Sequence, residues 1–555
     1  MSWKTRPDIS GFNIRWSEQH AQQWLQAGFW RNETLAEIAA EQTRKNPDAT
    51  LLIEGGTHLT RKAVYDASLR LANYLHQQGA EAGDVLAFQL PNWSESAIVT
   101  LAARMLGLVI NPIPPIYREA ELSYMLRETG ARFLFIPGVF RNFDYPAMVE
   151  DLRGELPGLQ EVIVVRGEVC NNTAWQETIA GDALQSLPTV DPGAIFLVMF
   201  TSGTTGRAKG VMQTHHAFGY KARQMIAAWH VGEDDVIFMP SPVTHITGTI
   251  WAFDIPWISG APAVLLDIWN VGEGIDAIRE HGCTISGGAT PFLQQLLAAT
   301  AEDRSSLSSL KTFFCGGTSV SPELIKQVSR EFPNCLFFRA YGSTEMMTVT
   351  LGISSREQSD LGANTDGVVL PPIQVKLVDD EGHKIAEDGV EGEILAFGPE
   401  QFAGYLNVED NRDAFDEDGY FRMGDLGCWS HGNYLVITGR KKDIIIRSGE
   451  NISPKEVEDI LIQHPAIADV SVVAMPSEST GEKGCAFIIL NQGHDFDFAT
   501  MRRFLDGVGL AKQKYPEWLE FVDDFPRVPS GKVRKDLLRE KAREIAMKNR
   551  DEVHK

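Results

Sequence analysis

The densest chemistry in the sequence is the run Phe200-Thr-Ser-Gly-Thr-Thr-Gly-Arg-Ala-Lys-Gly210. A strand-like stretch, Ile195–Phe200, leads into a loop carrying Gly203, Gly206 and Gly210, the hydroxyls of Thr201, Ser202, Thr204 and Thr205, and the ammonium of Lys209. Glycines let backbone N–H groups crowd around an anion, and hydroxyls and ammonium add further donors. A polyphosphate is the guest that suits such a loop. It is not a Walker A loop, because Lys209 is followed by Gly210 where that motif needs Ser or Thr. Taken alone, the run also reads as a Gly/Ser/Thr turn with one solvated lysine.

Further chemistry-bearing segments follow in order. Gly316-Gly317-Thr318 comes after the strand-like Lys311–Cys315, then Tyr341-Gly342-Ser343-Thr344-Glu345, and Gly424-Asp425. Beyond these lie Thr438-Gly439-Arg440-Lys441-Lys442-Asp443, Ser448-Gly449-Glu450-Asn451 and Pro529-Ser530-Gly531-Lys532. The Tyr341 ring offers a surface on which a base can stack, although a lone tyrosine is as often a core aromatic. A carboxylate such as Asp425 can accept from two ribose hydroxyls, and Arg440 is a fork-shaped donor. Individually, Glu345 reads as a surface acid, Asp425 and Arg440 as turn residues, and Lys442 and Lys532 as solvated lysines.

Their order decides the reading. The loop and the ordered segments from Thr201 to Lys532 resemble the adenylate-forming superfamily of acyl-CoA synthetases, peptide-synthetase adenylation domains and luciferases. Ala208 stands where that family usually has proline, and Ser448 where many relatives have glycine. The resemblance implies an ATP site made of Thr201, Ser202, Gly203, Thr204, Thr205, Gly206, Lys209, Gly317, Thr318, Tyr341, Gly342, Thr344, Asp425, Arg440 and Lys532. It makes Thr344 an α-phosphate contact and Glu345 the contact for Mg²⁺, a hard ion that prefers oxygen and keeps waters. Lys209, Thr344, Glu345 and Lys532 are the catalytic set, with Lys532 offsetting charge at the reacting α-phosphate.

The implied reaction has two halves. A substrate carboxylate attacks the α-phosphate of ATP, expelling pyrophosphate and leaving an acyl-adenylate. A thiol then attacks the acyl carbon and expels AMP. Lys442 is the expected hinge about which a small domain rotates between halves, withdrawing Lys532 and bringing in Ser448, Gly449 and Glu450 to line a channel for coenzyme A. The chain ends soon after Lys532 with no carrier module, and Gly439–Glu458 most resembles free-standing acyl-CoA synthetases, so CoA is the favoured acceptor. Loading of a carrier protein is the alternative. His245, Trp251, Gly288, Ala289, Met346 and Met347 are the candidates for the acyl pocket. Their apolar character points to a short- or medium-chain fatty acid or an alicyclic acid.

These residues need a scaffold of parallel strands. Apolar runs such as Val85–Gln89, Ala131–Ile136, Glu161–Val165, Ala194–Phe200, Val236–Met239 and Lys311–Cys315 alternate with helix-period segments, which is the βαβ pattern. From about Val368 short β-type runs and acidic turns predict a twisted antiparallel subdomain that includes Ile444–Arg447. After Ser453 helix and strand patterns return. The expected fold is α/β: a multi-lobed body over 1–440, with two parallel-type subdomains and a small β-barrel-like one, then a mobile α+β domain over 441–555. The basic residues Arg534, Lys535, Arg539, Lys541 and Arg543 recur at helical spacing and read as a solvated face.

Composition bounds the rest. With 555 residues and a net charge of −23, the chain is large enough for a substantial core and repels nucleic acid. Six scattered cysteines form no zinc-type pair and suit a reducing cytoplasm. The amino terminus leads into no signal-type apolar core. Arg104 interrupts the most apolar stretch, Ala97–Ile116, which favours a buried helix–strand segment over a membrane span. Peripheral membrane contact stays open, and the resemblance carries with it the homodimer common among relatives.

Overall fold

The computed structural model describes residues 3–201, 207–317, 320–448, 450–477, 479–528 and 531–553. Among the described residues, two seven-stranded sheets form the body. The first runs Thr173–Ala174, Glu161–Val165, Phe133–Pro137, Val85–Phe88, Val109–Pro112, Ile195–Thr201, Lys209–Thr214. The second runs Leu336–Ala340, Thr312–Gly316, Ile285–Gly288, Ile237–Met239, Ala263–Leu265, Thr50–Glu54, Thr57–Thr60. Each is parallel except at one edge, where Lys209–Thr214 and Thr57–Thr60 pair antiparallel. Strands such as Phe133–Pro137 are apolar and buried throughout, as expected for a sheet covered by helices on both faces.

The apolar stretch around Arg104 is the helix Ser94–Leu106 followed by the strand Val109–Pro112. Arg104 is buried, and its guanidinium donates to both oxygens of Asp254 at 2.6 and 3.0 Å. The pair ties this helix to the π-helical turn Ile250–Asp254. No helix of the described residues is long and apolar enough to cross a membrane.

A third, five-stranded antiparallel sheet contains Gly392–Phe397, Phe421–Ser430 and Tyr434–Arg440. The strand expected here over Ile444–Arg447 belongs elsewhere. After Arg440 the chain makes a short turn at Lys441–Asp443, and Ile445–Arg447 pairs with Glu450–Ile452 and reaches Gly481 in a carboxy-terminal sheet. That sheet is built on the long hairpin Ile467–Ser477 and Gly481–Leu490, with Trp518–Phe521 added in parallel.

The amino-terminal hairpin, Lys4–Pro7 with Asn13–Trp16, closes over the third sheet. The Arg15 guanidinium lies between the rings of Trp3 (3.9 Å) and Phe415 (3.7 Å), and the Arg15 backbone N–H donates to the Ala403 carbonyl at 2.7 Å. Trp3 packs so tightly on Gly419 that a β-carbon there would come within 2.2 Å of its indole nitrogen.

The last helix, Lys535–Val553, corrects a second expectation. Its basic residues are not simply solvated: Lys535 pairs with Glu458 (2.6 Å), Arg539 with Asp443 (2.7 Å) and Lys541 with Glu520 (3.5 Å). A helix that reads as polar in isolation is fastened by acids that lie far away in sequence.

Candidate active site

Parallel topology brings the site together. In the second sheet Gly288 is in register with Cys315, and Gly316 with Ala340. The carboxyl ends of three neighbouring strands therefore deliver Gly288-Ala289, Gly317 and Tyr341 to one edge, the usual place for a ligand in a parallel sheet. In the first sheet Thr201 and Lys209 are partners across the antiparallel edge, so the phosphate-type loop is the connection between them. Its residues Ser202, Gly203, Thr204, Thr205 and Gly206 lie outside the described residues, as do Thr318 and Gly449.

Backbone conformation explains one of the glycines and close packing another. Gly317 has φ +79°, a backbone region that favours glycine. At Gly342 a β-carbon would come within 2.3 Å of the Met347 carbonyl oxygen. This lets Tyr341–Met347 fold back on itself, with Ser343 N–H donating to the Met346 carbonyl at 2.8 Å.

Asp425 and Arg440 face each other across the rung of an antiparallel pair in the third sheet. Arg440 Nε meets Asp425 Oδ1 at 2.9 Å, and the Tyr341 hydroxyl donates to Asp425 Oδ2 at 2.7 Å. Asp425 raises the Arg440 guanidinium above its ordinary value. Burial, reinforced by Asp425, pushes the Tyr341 phenol well up, so it stays a donor.

Lys532 arrives from the carboxy-terminal unit. A β-carbon on Gly317 would lie 3.7 Å from Lys532 Cε, and one on Gly531 3.5 Å from the Ala289 β-carbon. The lysine turn is thus seated between two strand ends of the second sheet. Its ammonium is pushed down to about 8, first by burial and then by Arg440, against the pull of Asp425 and Glu345. His245 begins a short helix and accepts the Thr247 N–H at Nδ1 (3.3 Å). Burial, then Lys532, lowers its imidazole to about 4, so it is neutral at pH 7. A neutral ring accepting at Nδ1 carries its proton on Nε2.

Thr344 and Glu345 are buried. Gln213 donates to the Thr344 carbonyl at 2.7 Å, and Phe402 N–H to the Glu345 carbonyl at 3.0 Å. The Tyr405 hydroxyl donates to Glu345 Oε1 at 2.8 Å. Lys209 Nζ sits 4.9 Å from the centre of the Tyr405 ring and 3.3 Å from Asp410 Oδ1. Tyr405, Asp410 and Gln213 were not visible as site residues in the sequence. The buried pair of Lys221 and Glu400, 3.6 Å apart, was equally hidden, and its lysine donates to the Thr348 carbonyl at 2.7 Å just beyond Met347.

The expected acyl residues are spread more widely. Gly288 and Ala289 lie beside the Lys532 turn. Met346 and Met347 are buried at the end of the Tyr341 loop. Trp251 is fully buried in a cluster of three rings, with centroid distances of 5.3 Å to Trp229 and 5.1 Å to Phe314 and 4.9 Å between those two. Phe314 in turn packs on the Gly287 backbone, where a β-carbon would come within 2.4 Å of the ring. Lys442 lies in the short turn after Arg440, exposed. Ser448 adopts φ +51°, which accounts for the glycine common at that place, and Glu450 starts the next strand.

Comparisons with known proteins give the family and the fold. The family model "AMP-binding enzyme" matches residues 39–406, and "AMP-binding enzyme C-terminal domain" matches residues 456–532. A medium-chain fatty-acid–CoA ligase of Escherichia coli is 35% identical over 95% of this chain and 93% of its own. A 2,3-dihydroxybenzoate-AMP ligase of Bacillus subtilis is 28% identical over 96% of this chain and 98% of its own. Among solved structures, o-succinylbenzoate CoA synthetase MenE of Bacillus subtilis with its acyl-adenylate superposes with a TM-score of 0.79 at 25% identity, covering 92% of this chain and 98% of that one. ATP-bound MatB of Rhodopseudomonas palustris shares the fold with a TM-score of 0.83 at 24% identity, covering 93% and 100%. The chain belongs to the AMP-binding family of adenylate-forming enzymes, in its acyl-CoA synthetase branch.

Proposed function

We propose that the protein activates a short- or medium-chain fatty acid, or an alicyclic acid, with ATP and passes the acyl group to coenzyme A. The observation that carries this reading is the seating of Lys532 against Gly317, within the electrostatic reach of Arg440, Asp425 and Glu345 and beside a neutral His245. That is a cation held where an acid and a triphosphate would meet.

In this reading Asp425 takes the ribose hydroxyls, with Tyr341 and Arg440 holding its two oxygens. Lys209 and the loop before it bind the β- and γ-phosphates, and Thr344 the α-phosphate. Glu345 fits Mg²⁺: it is a buried, oxygen-only donor oriented by a phenol, which suits a hard ion. Bound there, Mg²⁺ would neutralise phosphate charge. Lys532 draws the carboxylate and the α-phosphate together and offsets the charge of the pentavalent phosphorus. His245, neutral, gives the incoming acid an uncharged neighbour with an Nε2–H donor. Gly288, Ala289, Met346 and Met347 supply apolar wall, with Trp251 behind them.

After pyrophosphate leaves, we place a hinge at Lys442, between a body of residues 1–440 and a small unit of 441–555. Rotation there withdraws Lys532 and presents Ser448, Gly449 and Glu450 to the thiol of CoA. The working place is the cytoplasm, supported by six cysteines with no disulfide among them. A homodimer is checked by sedimentation velocity.

The decisive experiment is incubation with ATP, Mg²⁺, CoA and a panel of aliphatic, alicyclic and aromatic acids, reading pyrophosphate, AMP and acyl-CoA. Release of AMP and pyrophosphate with no acyl-CoA for any acid would favour the second reading, loading of a carrier protein. That alternative is kept because the 2,3-dihydroxybenzoate-AMP ligase matches over almost the whole chain.

A further inference from the structure

One short segment holds both ions of the phosphate end of the site. Residues 403–406 run beside the strand Lys209–Thr214: Val211 and Tyr405 form an antiparallel bridge, and the Leu406 N–H donates to the Gly210 carbonyl at 2.8 Å. From this segment Tyr405 reaches Glu345 Oε1 at 2.8 Å and carries Lys209 over its ring at 4.9 Å. Five residues on, Asp410 meets the same ammonium at 3.3 Å. Phe402 N–H holds the backbone carbonyl of Glu345 at 3.0 Å, so residue 345 is gripped at main chain and side chain by one stretch.

We propose that Tyr405 is a positioning residue whose hydroxyl sets the Glu345 carboxylate for the divalent cation. This rests on the assignment of Glu345 under the proposed function. A glutamate side chain has free rotation about its last bonds, and ordering it for a metal costs entropy. A phenol anchored in buried backbone removes that freedom beforehand. Hydrogen bonds of this kind behind a metal ligand typically change metal affinity or activity by about 10- to 100-fold. The ring supports the lysine independently of the hydroxyl, so the two contributions can be separated. Tyr405→Phe deletes the hydroxyl and keeps the ring against Lys209.

The test is ATP binding by calorimetry to the full-length enzyme without acid substrate, in excess Mg²⁺ and in EDTA, with Mn²⁺ binding followed by electron paramagnetic resonance. In wild type, Mg²⁺ should tighten ATP binding. In Tyr405→Phe, affinity in EDTA should match wild type and the protein should stay folded at the assay temperature, while the gain from Mg²⁺ falls about tenfold or more and Mn²⁺ binds correspondingly more weakly. In Glu345→Gln the same Mg²⁺ gain should vanish, and adding Tyr405→Phe to it should change nothing further, the mark of a coupled pair. An unchanged Mg²⁺ gain in Tyr405→Phe overturns the inference. Equal loss in Mg²⁺ and EDTA also overturns it, since the tyrosine would then only support the fold of the site. Failure of wild type to bind ATP under either condition would instead sink the functional reading itself.

Discussion

Arg440 and Tyr341 hold opposite oxygens of one carboxylate, Asp425, at 2.9 and 2.7 Å. The two come from different sheets, one from the antiparallel strand Tyr434–Arg440, the other from the end of the parallel strand Leu336–Ala340. Asp425 is therefore preoriented before any ribose arrives. Asp425→Ala should raise the KM for ATP roughly tenfold or more, because hydrogen bonds to a charged group contribute about 1.5–3 kcal/mol. Pyrophosphate release against ATP concentration reads this directly. An unaltered KM would remove Asp425 from the nucleotide site.

Lys532 should matter to one half-reaction only. Lys532→Ala is expected to abolish acyl-adenylate formation yet largely spare thioester formation from preformed acyl-adenylate. Single-turnover assays of the two halves check it, and equal loss in both would contradict the assigned role.

The same lysine gives a pH signature. Its working form is the cation, and its pKa is lowered to about 8. Adenylation should therefore decline as pH rises through about 8, while thioester formation, measured separately, should not share that limb. Lys532→Arg should lose the limb, since a guanidinium stays charged throughout this range. A wild-type profile that stays flat to pH 9.5 in the first half-reaction would rule the lysine out as its charge-bearing group.

Across the proposed hinge, Ser453 donates its hydroxyl to the Thr438 carbonyl at 2.5 Å. Neighbouring Gly439 allows this approach, since a β-carbon there would come within 2.9 Å of the Ser453 oxygen. The bond exists in the arrangement that seats Lys532. Ser453→Ala should slow adenylation by about two- to tenfold, the effect of losing about 0.5–1.5 kcal/mol, and leave thioester formation closer to wild type. A uniform change in both halves would show the bond to be structural only.

Acid should destabilise the fold through two adjacent histidines. His215 is pushed well below its ordinary value by burial, then by Arg104 and His216. His216, stacked on Trp30 at 4.7 Å, is lowered to about 4, chiefly by burial. Their folded pKa values lie below the unfolded value of about 6.5, so the unfolded chain takes up protons first. The stability they contribute is complete above about pH 6.5 and is eroded as pH falls towards 4 and below. Replacing His216 with Phe should flatten that acid slope by up to about one proton in denaturant titrations at pH 4–7. A slope identical to wild type would locate acid sensitivity elsewhere.

Much of this architecture was legible because parallel strands and phosphate loops are local patterns. Glu161–Val165 occupies the residues that the sequence pattern indicates. Others shift by a residue or two, and in Phe421–Ser430 the turn-like Gly424-Asp425 sits inside a strand that bulges between Leu426 and Gly427. What local pattern cannot hold is pairing at distance. Tyr405 is one aromatic beside a glycine until the fold sets it on Glu345, 60 residues earlier. Asp410 lies in a run of Asn, Glu and Asp that reads as a turn. Lys221 and Glu400 look like surface charges, and only the three-dimensional arrangement buries both. Trp251 reads as a candidate for the acyl pocket, and only the fold shows it packed with Trp229 and Phe314 in one buried aromatic cluster.

The amino-terminal hairpin has a consequence for synthesis. The partners of Trp3 and Arg15, Phe415 and Gly419, are made about 400 residues after them. At about 5–20 residues per second the ribosome takes roughly 20–80 s to supply them. Throughout that interval Trp3, Trp16, Trp24 and Trp30 lack the third sheet, the surface on which Trp3 and Trp24 meet Phe397. The nascent chain thus carries a cluster of indoles without the sheet that covers them, a standing target for chaperones until that sheet emerges.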